Sequence, residues 1–324
     1  MKGPIGGYFE LELPAQNKVR YLDAKYFQSA RACFYALLLK GRPTKVWLPF
    51  FNCDAMLGPL RAAGIEYDFY SIANDFSIAD DVPLKDGEWL VYVNYFGLCT
   101  TKQQEILKKY NPAQIIFDHA QASFSPPLDC LATIYSPRKF FGVPDGGLLI
   151  TSLNIVEDGD DCGSFDRVTH LLKRASDTPE SGYLDYQLAE KTLENFSLAK
   201  MSKLSRRILS SGDTDIAVVR RNENYEYLRS RLGHYNELDF DVSPLDGPLC
   251  YPFLSSRIYG GHEVLSKHRI YVPTYWPEVK RRCSSSSVEF YLSSMLLPLP
   301  CDQRYDSREM DYIVSILEEV LKNV

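Results

Sequence analysis

Lys139 is the residue of this 324-residue chain most plainly placed for chemistry. It lies in Ile134-Tyr-Ser-Pro-Arg-Lys-Phe-Phe-Gly-Val-Pro-Asp-Gly-Gly147. A short strand, Cys130 to Tyr135, runs into a turn that presents the lysine. A loop with Gly142, Pro144, Gly146 and Gly147 then leads into a second strand, Leu148 to Thr151. Pro137 and Pro144 forbid a helix across the stretch. A lysine between aromatics at a strand end can be partly desolvated. Desolvation lowers its pKa and frees the amine for Schiff-base chemistry. Taken alone, the same residues also fit a solvated loop lysine.

A second stretch stands upstream, Gln114-Ile-Ile-Phe-Asp-His-Ala-Gln-Ala122. An apolar strand ends on an acid, Asp118, followed by His119 and Gln121. A lysine at one strand end and an acid at another are two of the groups that pyridoxal phosphate (PLP) requires. The lysine binds it, and the acid sits against its pyridinium nitrogen. The third requirement is a set of backbone N–H groups for the phosphate. Ser29 can cap a helix running to Lys40, and a helix N-terminus favours a dianion.

These two stretches resemble the DegT/DnrJ/EryC1/StrS family of PLP-dependent sugar aminotransferases. The family's Asp-Ala-Ala-Gln/His run matches Asp118-His119-Ala120-Gln121. Its Ser-x-Ser-Pro-x-Lys, followed six residues after the lysine by Asp/Glu-Gly-Gly, matches Ile134 to Gly147 at every fixed position but the first. The resemblance implies roles. Lys139 would bind the cofactor and shuttle a proton, and Asp118 would hold the ring nitrogen protonated. Gln121 would hydrogen-bond the ring hydroxyl. Ala30 and Arg31 match the family's phosphate-binding positions, with Arg31 in place of the usual threonine, and Ser136 adds a hydroxyl. The chain also departs from the pattern. Ile134 replaces a serine, and Cys53 stands where an aromatic often stacks on the ring, leaving Phe51 or Tyr95 as alternatives. Asn94-Tyr-Phe-Gly97 replaces His-x-x-Gly. The Asn-x-Arg-Met run of the partner subunit is missing, with Leu198-Ala-Lys-Met201 its nearest match. His119 reads as a core histidine or as a tuner of Asp118. Tyr275 and Trp276 read as walls of the substrate mouth or as core.

The elements that position these residues alternate. Strands are expected at 45–49, 66–72, 89–94, 114–118, 131–135 and 147–151. Helices are expected after Ser29, after Asp54 and over 102–110. Such alternation implies a mostly parallel sheet covered on both faces, with ligands outside the carboxyl ends of the strands. Alternation over Tyr8 to Leu13 adds a short strand. Glu157 to Asp161 is an acidic loop, followed by helices over 164–174, 183–209 and 216–232. Strands are then expected at 248–254, 288–292 and 296–299, with helices over 261–267 and 307–322. Asp306 and Glu309 form a capping box for the last of these. Arg269 to Pro277 and Leu296 to Arg304 resemble the small domain of the same family. The alternation implies an α/β fold, and the resemblance implies the PLP-dependent transferase fold type I. A large domain over 1–215 carries a seven-stranded, mostly parallel sheet, and an α+β domain covers 216–324.

Composition sets limits. Hydrophobic residues make up 45% and charged residues 24%, which fits an ordinary globular core. A net charge of −6 and the lack of a basic block argue against a nucleic-acid surface. Lys280-Arg281-Arg282 reads as a solvated face. The eight cysteines are scattered and contain no C-x-x-C pair, so free thiols in a reducing cytoplasm are expected. No apolar run is long enough to span a bilayer. The resemblance implies a homodimer with shared active sites, an amino-acid donor such as glutamate, and a nucleotide-linked keto sugar as acceptor. The alternatives are a silent relative that binds without turnover, or sugar dehydration. Lys139 argues against the latter, because dehydratases of this kind carry a histidine there.

Overall fold

The computed structural model describes residues 5–14, 20–21, 23–160, 163–194, 197–238, 241–242 and 244–322. Its first half runs β1 (Lys25–Phe27), α1 (Ala30–Gly41), β2 (Lys45–Pro49), α2 (Leu57–Ala63), β3 (Glu66–Tyr70) and β4 (Glu88–Val93). It continues with α3 (Thr100–Lys109), β5 (Ile115–His119), β6 (Ala132–Tyr135) and β7 (Gly147–Thr151). The middle holds β8 (Asp158–Asp160), α4 (Thr169–Ser176), α5 (Tyr183–Thr192), β9 (Ala199–Lys200) and α6 (Lys203–Ser211). Then come α7 (Thr214–Leu232), β10 (Cys250–Phe253), α8 (Gly261–Lys267), α9 (Val279–Arg282), α10 (Val288–Met295), β11 (Leu297–Pro300) and α11 (Ser307–Lys322).

The main sheet has the order β3-β2-β4-β5-β6-β7-β1-β9-β8. Strands β2 to β6 are parallel, and β7 is antiparallel to both β6 and β1. Strand β1 therefore points the same way as β6. The expected seven-stranded body is present, with β1 in place of the strand expected over 8–13, and the short β9 and β8 extend it. Period-2 alternation divides the central strands between two cores. Val91 and Ile116 face α1 and α2, where Phe34, Leu37 and Leu60 pack on them. Leu90, Tyr92 and Phe117 face the other way, into one cluster with Leu228 of α7, Leu299 of β11 and Val314 of α11. The C-terminal part of the chain thus shares its core with one face of the sheet.

Several expected elements differ. Residues 8–13 alternate in type but form no strand; Tyr8 and Phe9 are almost wholly exposed, and no neighbouring strand pairs with them among the described residues. The acidic loop at 157–161 is taken up by β8, and Asp161 lies outside the described residues. A 3-10 turn, Phe165–Arg167, precedes α4. The long helix over 183–209 is two helices with β9 between them, and Ser202 caps the second by accepting from Ser205 N–H. Residues 288–292 are helical rather than extended. Ser287 Oγ accepts from Phe290 N–H at 3.2 Å and starts a turn that the alternating Val-Glu-Phe-Tyr-Leu pattern disguises. Cys53, not Asp54, stands before the 3-10 turn that opens α2. The capping box forms as expected: Asp306 N–H donates to Glu309 at 2.9 Å, and Arg308 N–H to Asp306 at 2.9 Å. No helix of the described residues is long and apolar enough to cross a membrane.

Candidate active site

The sheet order brings the chemistry to one edge. The carboxyl ends of β1, β2, β4, β5 and β6 lie together there with the amino end of β7. Val93, Asp118 and Ile134 are side by side in register, as are Tyr135 and Leu148, and Phe27 and Gly147. The loops that leave these strand ends carry the candidate residues.

Asp118 ends the apolar run of β5 and is buried. Its Oδ1 accepts the Ala120 N–H at 2.8 Å, which holds the carboxyl in place. Burial pushes its pKa up, and the charge of Lys139 pulls it partly back. Lys139 closes the 3-10 turn Pro137–Lys139 after β6, its N–H bonded to Ser136 O at 3.2 Å. The lysine is exposed, so the chain by itself does not desolvate it as expected. Its amine has no hydrogen bond or ion pair among the described residues. Burial pushes the Cys53 thiol up, and the Ala55 N–H and the charge of Lys139 pull it partly back. Ser136 is buried and its hydroxyl caps nothing.

Helix α1 begins at the same edge. Ser29 caps it in extended conformation, accepting from Ala32 N–H at 3.2 Å. Ala30 and Arg31 form its first turn, both half-buried. Gly146 N–H bonds Gln28 O at 2.7 Å, which lays the start of β7 along this cap. A Cβ on Gly147 would sit 2.2 Å from the carbonyl carbon of Ser29 and 2.5 Å from Ala30 N. Only glycine permits that approach. Met201, from the run nearest to the missing Asn-x-Arg-Met, packs on Gly146.

Gln121 is buried, and its Oε1 accepts from Phe96 N–H at 3.0 Å. Phe96 sits at φ 58°, ψ 6°, a left-handed backbone that a non-glycine residue rarely adopts. With Oε1 committed, the Gln121 Nε2 donor is buried without a partner among the described residues. A buried orphan donor is costly unless a ligand supplies the acceptor. Asn52 Nδ2, on the loop after β2, is a second such donor. These two amides, the unpaired lysine, the buried acid and the glycine-lined helix start fit a phosphorylated ring that carries a hydroxyl acceptor and a protonated nitrogen donor.

The other aromatic and histidine candidates go to the core. Phe51 and Tyr95 are fully buried, joined by a Tyr95 O–H bond to Phe51 O at 2.8 Å. Trp276 packs edge-on to Phe51 at 4.9 Å. Tyr275 is half-buried and packs against the same core, 5.9 Å from the Phe96 ring. His119 turns away from Asp118. Asn94 Nδ2 donates to Gln103 Oε1, so Gln103 Nε2 donates to His119 Nε2 at 2.8 Å. That nitrogen must be an acceptor, so the imidazole is neutral, and burial pushes its pKa down to about 3.

Two features were not foreseen. Arg282, expected in a solvated cluster, is largely buried. It clamps the loop after β2, donating to Phe50 O at 3.1 Å, Asp54 Oδ1 at 2.6 Å and Asn52 O. A groove of about 1070 Å³ opens beside the site, lined among others by Tyr183, Tyr186, Arg269, Tyr271 and Arg304. Neither Lys139 nor Asp118 lines it. It adjoins the lysine turn because Arg138 pairs with Glu190 of α5 and Gln303 donates to Phe140 O at 2.8 Å. Glu180 bridges its walls through Arg269 and the Tyr271 hydroxyl at 2.6 Å.

No family model matches this chain, and no curated protein does. Solved structures do. A DegT DnrJ EryC1 StrS aminotransferase from Brucella abortus is 14% identical over 91% of this chain and 85% of its own, with a TM-score of 0.59. The PLP-form of Spr1654 from Streptococcus pneumoniae is 14% identical over 93% and 87%, with a TM-score of 0.62. DesI, solved in the presence of its TDP-sugar product, is 17% identical over 93% and 81%, with a TM-score of 0.62. At these identities the shared property is the fold, the PLP-dependent transferase fold type I over nearly the whole chain.

Proposed function

We propose that this protein is a PLP-dependent aminotransferase that moves an amino group from an amino acid, glutamate foremost, to a nucleotide-linked keto sugar. The observation that carries the proposal is the meeting of Asp118, Lys139 and the start of α1 at one edge of a type I sheet. PLP, when bound, withdraws electrons from the carbon that bears the donor's amino group. The residues do the rest. Asp118 keeps a proton on the ring nitrogen. Lys139 Nζ would hold the cofactor covalently and, as a free amine, would serve as the base that moves the proton of the donor's carbon. Gln121 Nε2 donates to the ring hydroxyl. Ala30, Arg31 and Ser136 hold the phosphate, with the α1 dipole behind them.

The groove between α5 and the C-terminal part supports an acceptor of nucleotide size, and a TDP-sugar product accompanies the similar DesI. We divide the chain at the start of α7 into a cofactor-binding domain, 1–215, and a small domain, 216–324. Exposed Phe165, Leu172, Tyr183, Leu184 and Leu188 on the α4–α5 segment support a homodimer whose second copy covers the open Lys139 side. The free thiols of the described cysteines support a cytoplasmic location. The test is borohydride reduction of PLP-treated protein, peptide mapping, and absorbance change with glutamate. A label on Lys139 and conversion to the PMP form are expected. A label elsewhere, or no conversion by any common amino acid, refutes the proposal.

A further inference from the structure

Arg221 lies on α7 and is 1% exposed. Its guanidinium has no hydrogen-bonded carboxylate among the described residues, since the nearby Asp302 is engaged by Arg304 at 2.7 and 2.9 Å. Removing a cation from water without such a partner disfavours folding. An apolar side chain of similar volume would fill the space without that penalty. What the arginine does instead is join three pieces of chain. Its guanidinium carbon stands 4.6 Å from the centre of the Phe140 ring, the residue after Lys139. Its Nε donates to Gln303 Oε1 at 2.7 Å, and Gln303 Nε2 donates onward to Phe140 O at 2.8 Å. Its Nη1 donates to Pro248 O at 2.7 Å. From there Leu249 N–H reaches Phe96 O at 2.8 Å, and Phe96 N–H reaches Gln121.

We propose that Arg221, acting through Gln303, is a positioning residue that fixes the turn carrying Lys139 relative to the arm carrying Gln121. A planar fork can serve a ring face, an amide and a carbonyl at once, which a lysine ammonium cannot do in the same geometry. Phe140 is held at both its ring and its carbonyl, so the backbone of Lys139 inherits that fixed orientation. The inference rests on the proposed role of Lys139 in holding the cofactor.

Two variants test it, Arg221→Lys and Gln303→Ala. Gln303 is half-buried, so its variant keeps the fold even where the arginine variant does not. Hydrogen exchange, followed by mass spectrometry on the protein without cofactor, reads the Phe140 and Phe141 amides, which both bond Pro137 O at 2.9 Å. Their exchange is expected to rise at least about tenfold, with β4 and α11 unchanged. Spectroscopic titration is expected to give a PLP Kd weakened at least about tenfold. Exchange within about twofold of wild type in a folded variant overturns the proposal, and so does raised exchange with unchanged PLP affinity. If the wild type binds no PLP, the cofactor reading fails, and the exchange measurement alone decides whether Arg221 orders the turn.

Discussion

Replacing Asp118 by asparagine separates the two things this carboxyl does. The new Oδ1 can still accept from Ala120 N–H, a 2.8 Å bond in the wild type, so the turn after β5 is kept. Only the charge is lost. Without cofactor that charge is a burden, because burial raises the carboxyl's pKa above its ordinary value. A raised pKa means that the folded chain holds this proton more tightly than the unfolded chain. Its contribution to stability is present below the ordinary carboxylate range and lost as pH rises through the folded value. At pH 7 the Asp118→Asn chain without cofactor is therefore expected to melt no lower than wild type. With cofactor the sign reverses. Removing one member of a buried charged pair costs about 3–5 kcal/mol. At about 1.4 kcal/mol per tenfold, the donor half-reaction should slow by roughly 10² to 10⁴. Calorimetry on the unloaded protein and stopped-flow absorbance with glutamate measure the two arms. A half-reaction within about tenfold of wild type refutes the ring-nitrogen role. An unloaded variant that melts lower by about 5 °C or more makes Asp118 a structural cap instead.

Other residues carry expectations of their own. His119, held to about 3 by burial against an ordinary 6.5, contributes stability that is present above pH 6.5 and lost as pH falls towards 3. The slope should approach about 1.4 kcal/mol per pH unit below 6.5 and flatten in His119→Gln, read as urea midpoints against pH. Arg282→Ala removes three hydrogen bonds to the loop after β2 and should cost roughly 1–3 kcal/mol in denaturant unfolding; an unchanged midpoint would mean that the clamp carries no energy. Gly147→Ala drives a methyl into the backbone of Ser29 and Ala30. It should cost about 1–3 kcal/mol and weaken phosphate and PLP binding together, whereas wild-type binding of either would show that β7 can move aside.

Much of the sheet could be read from residue types, because its central strands β4 to β6 are buried on both faces and most strands are bounded by Gly, Pro or Asn. Asp118 and Lys139 were legible for a related reason: each lies at or just beyond the carboxyl end of a short apolar strand, and spacing fixes which edge it reaches. The lysine's surroundings were not legible, since exposure depends on what covers a turn. The break between α5 and α6 is hidden because Leu193 to Met201 contains neither glycine nor proline. Helix α10 is hidden because Val288 to Leu292 alternates as a strand would. Arg221 and Arg282 have only a weak signal, a cation on the buried side of a helix. Their partners are backbone carbonyls and single side chains more than 20 residues away, which no local pattern reveals.

The pairing of β1 with β7 has a consequence for how the molecule is made. Phe27 and Gly147 are partners in register though about 120 residues apart in the chain. At roughly 5–20 residues per second, some 6–24 s of synthesis separate them. Through that interval α1 can coil and β2 to β6 can pair in order of emergence, but Ser29 has no neighbour to lie against. A nascent chain that has passed His119 already holds Asp118, yet lacks the contact of Gly147 with the start of α1. Completion of the pocket is therefore a late, long-range event, and the slow closure expected of such a pairing falls on the segment that joins the oldest and youngest parts of the sheet's central body.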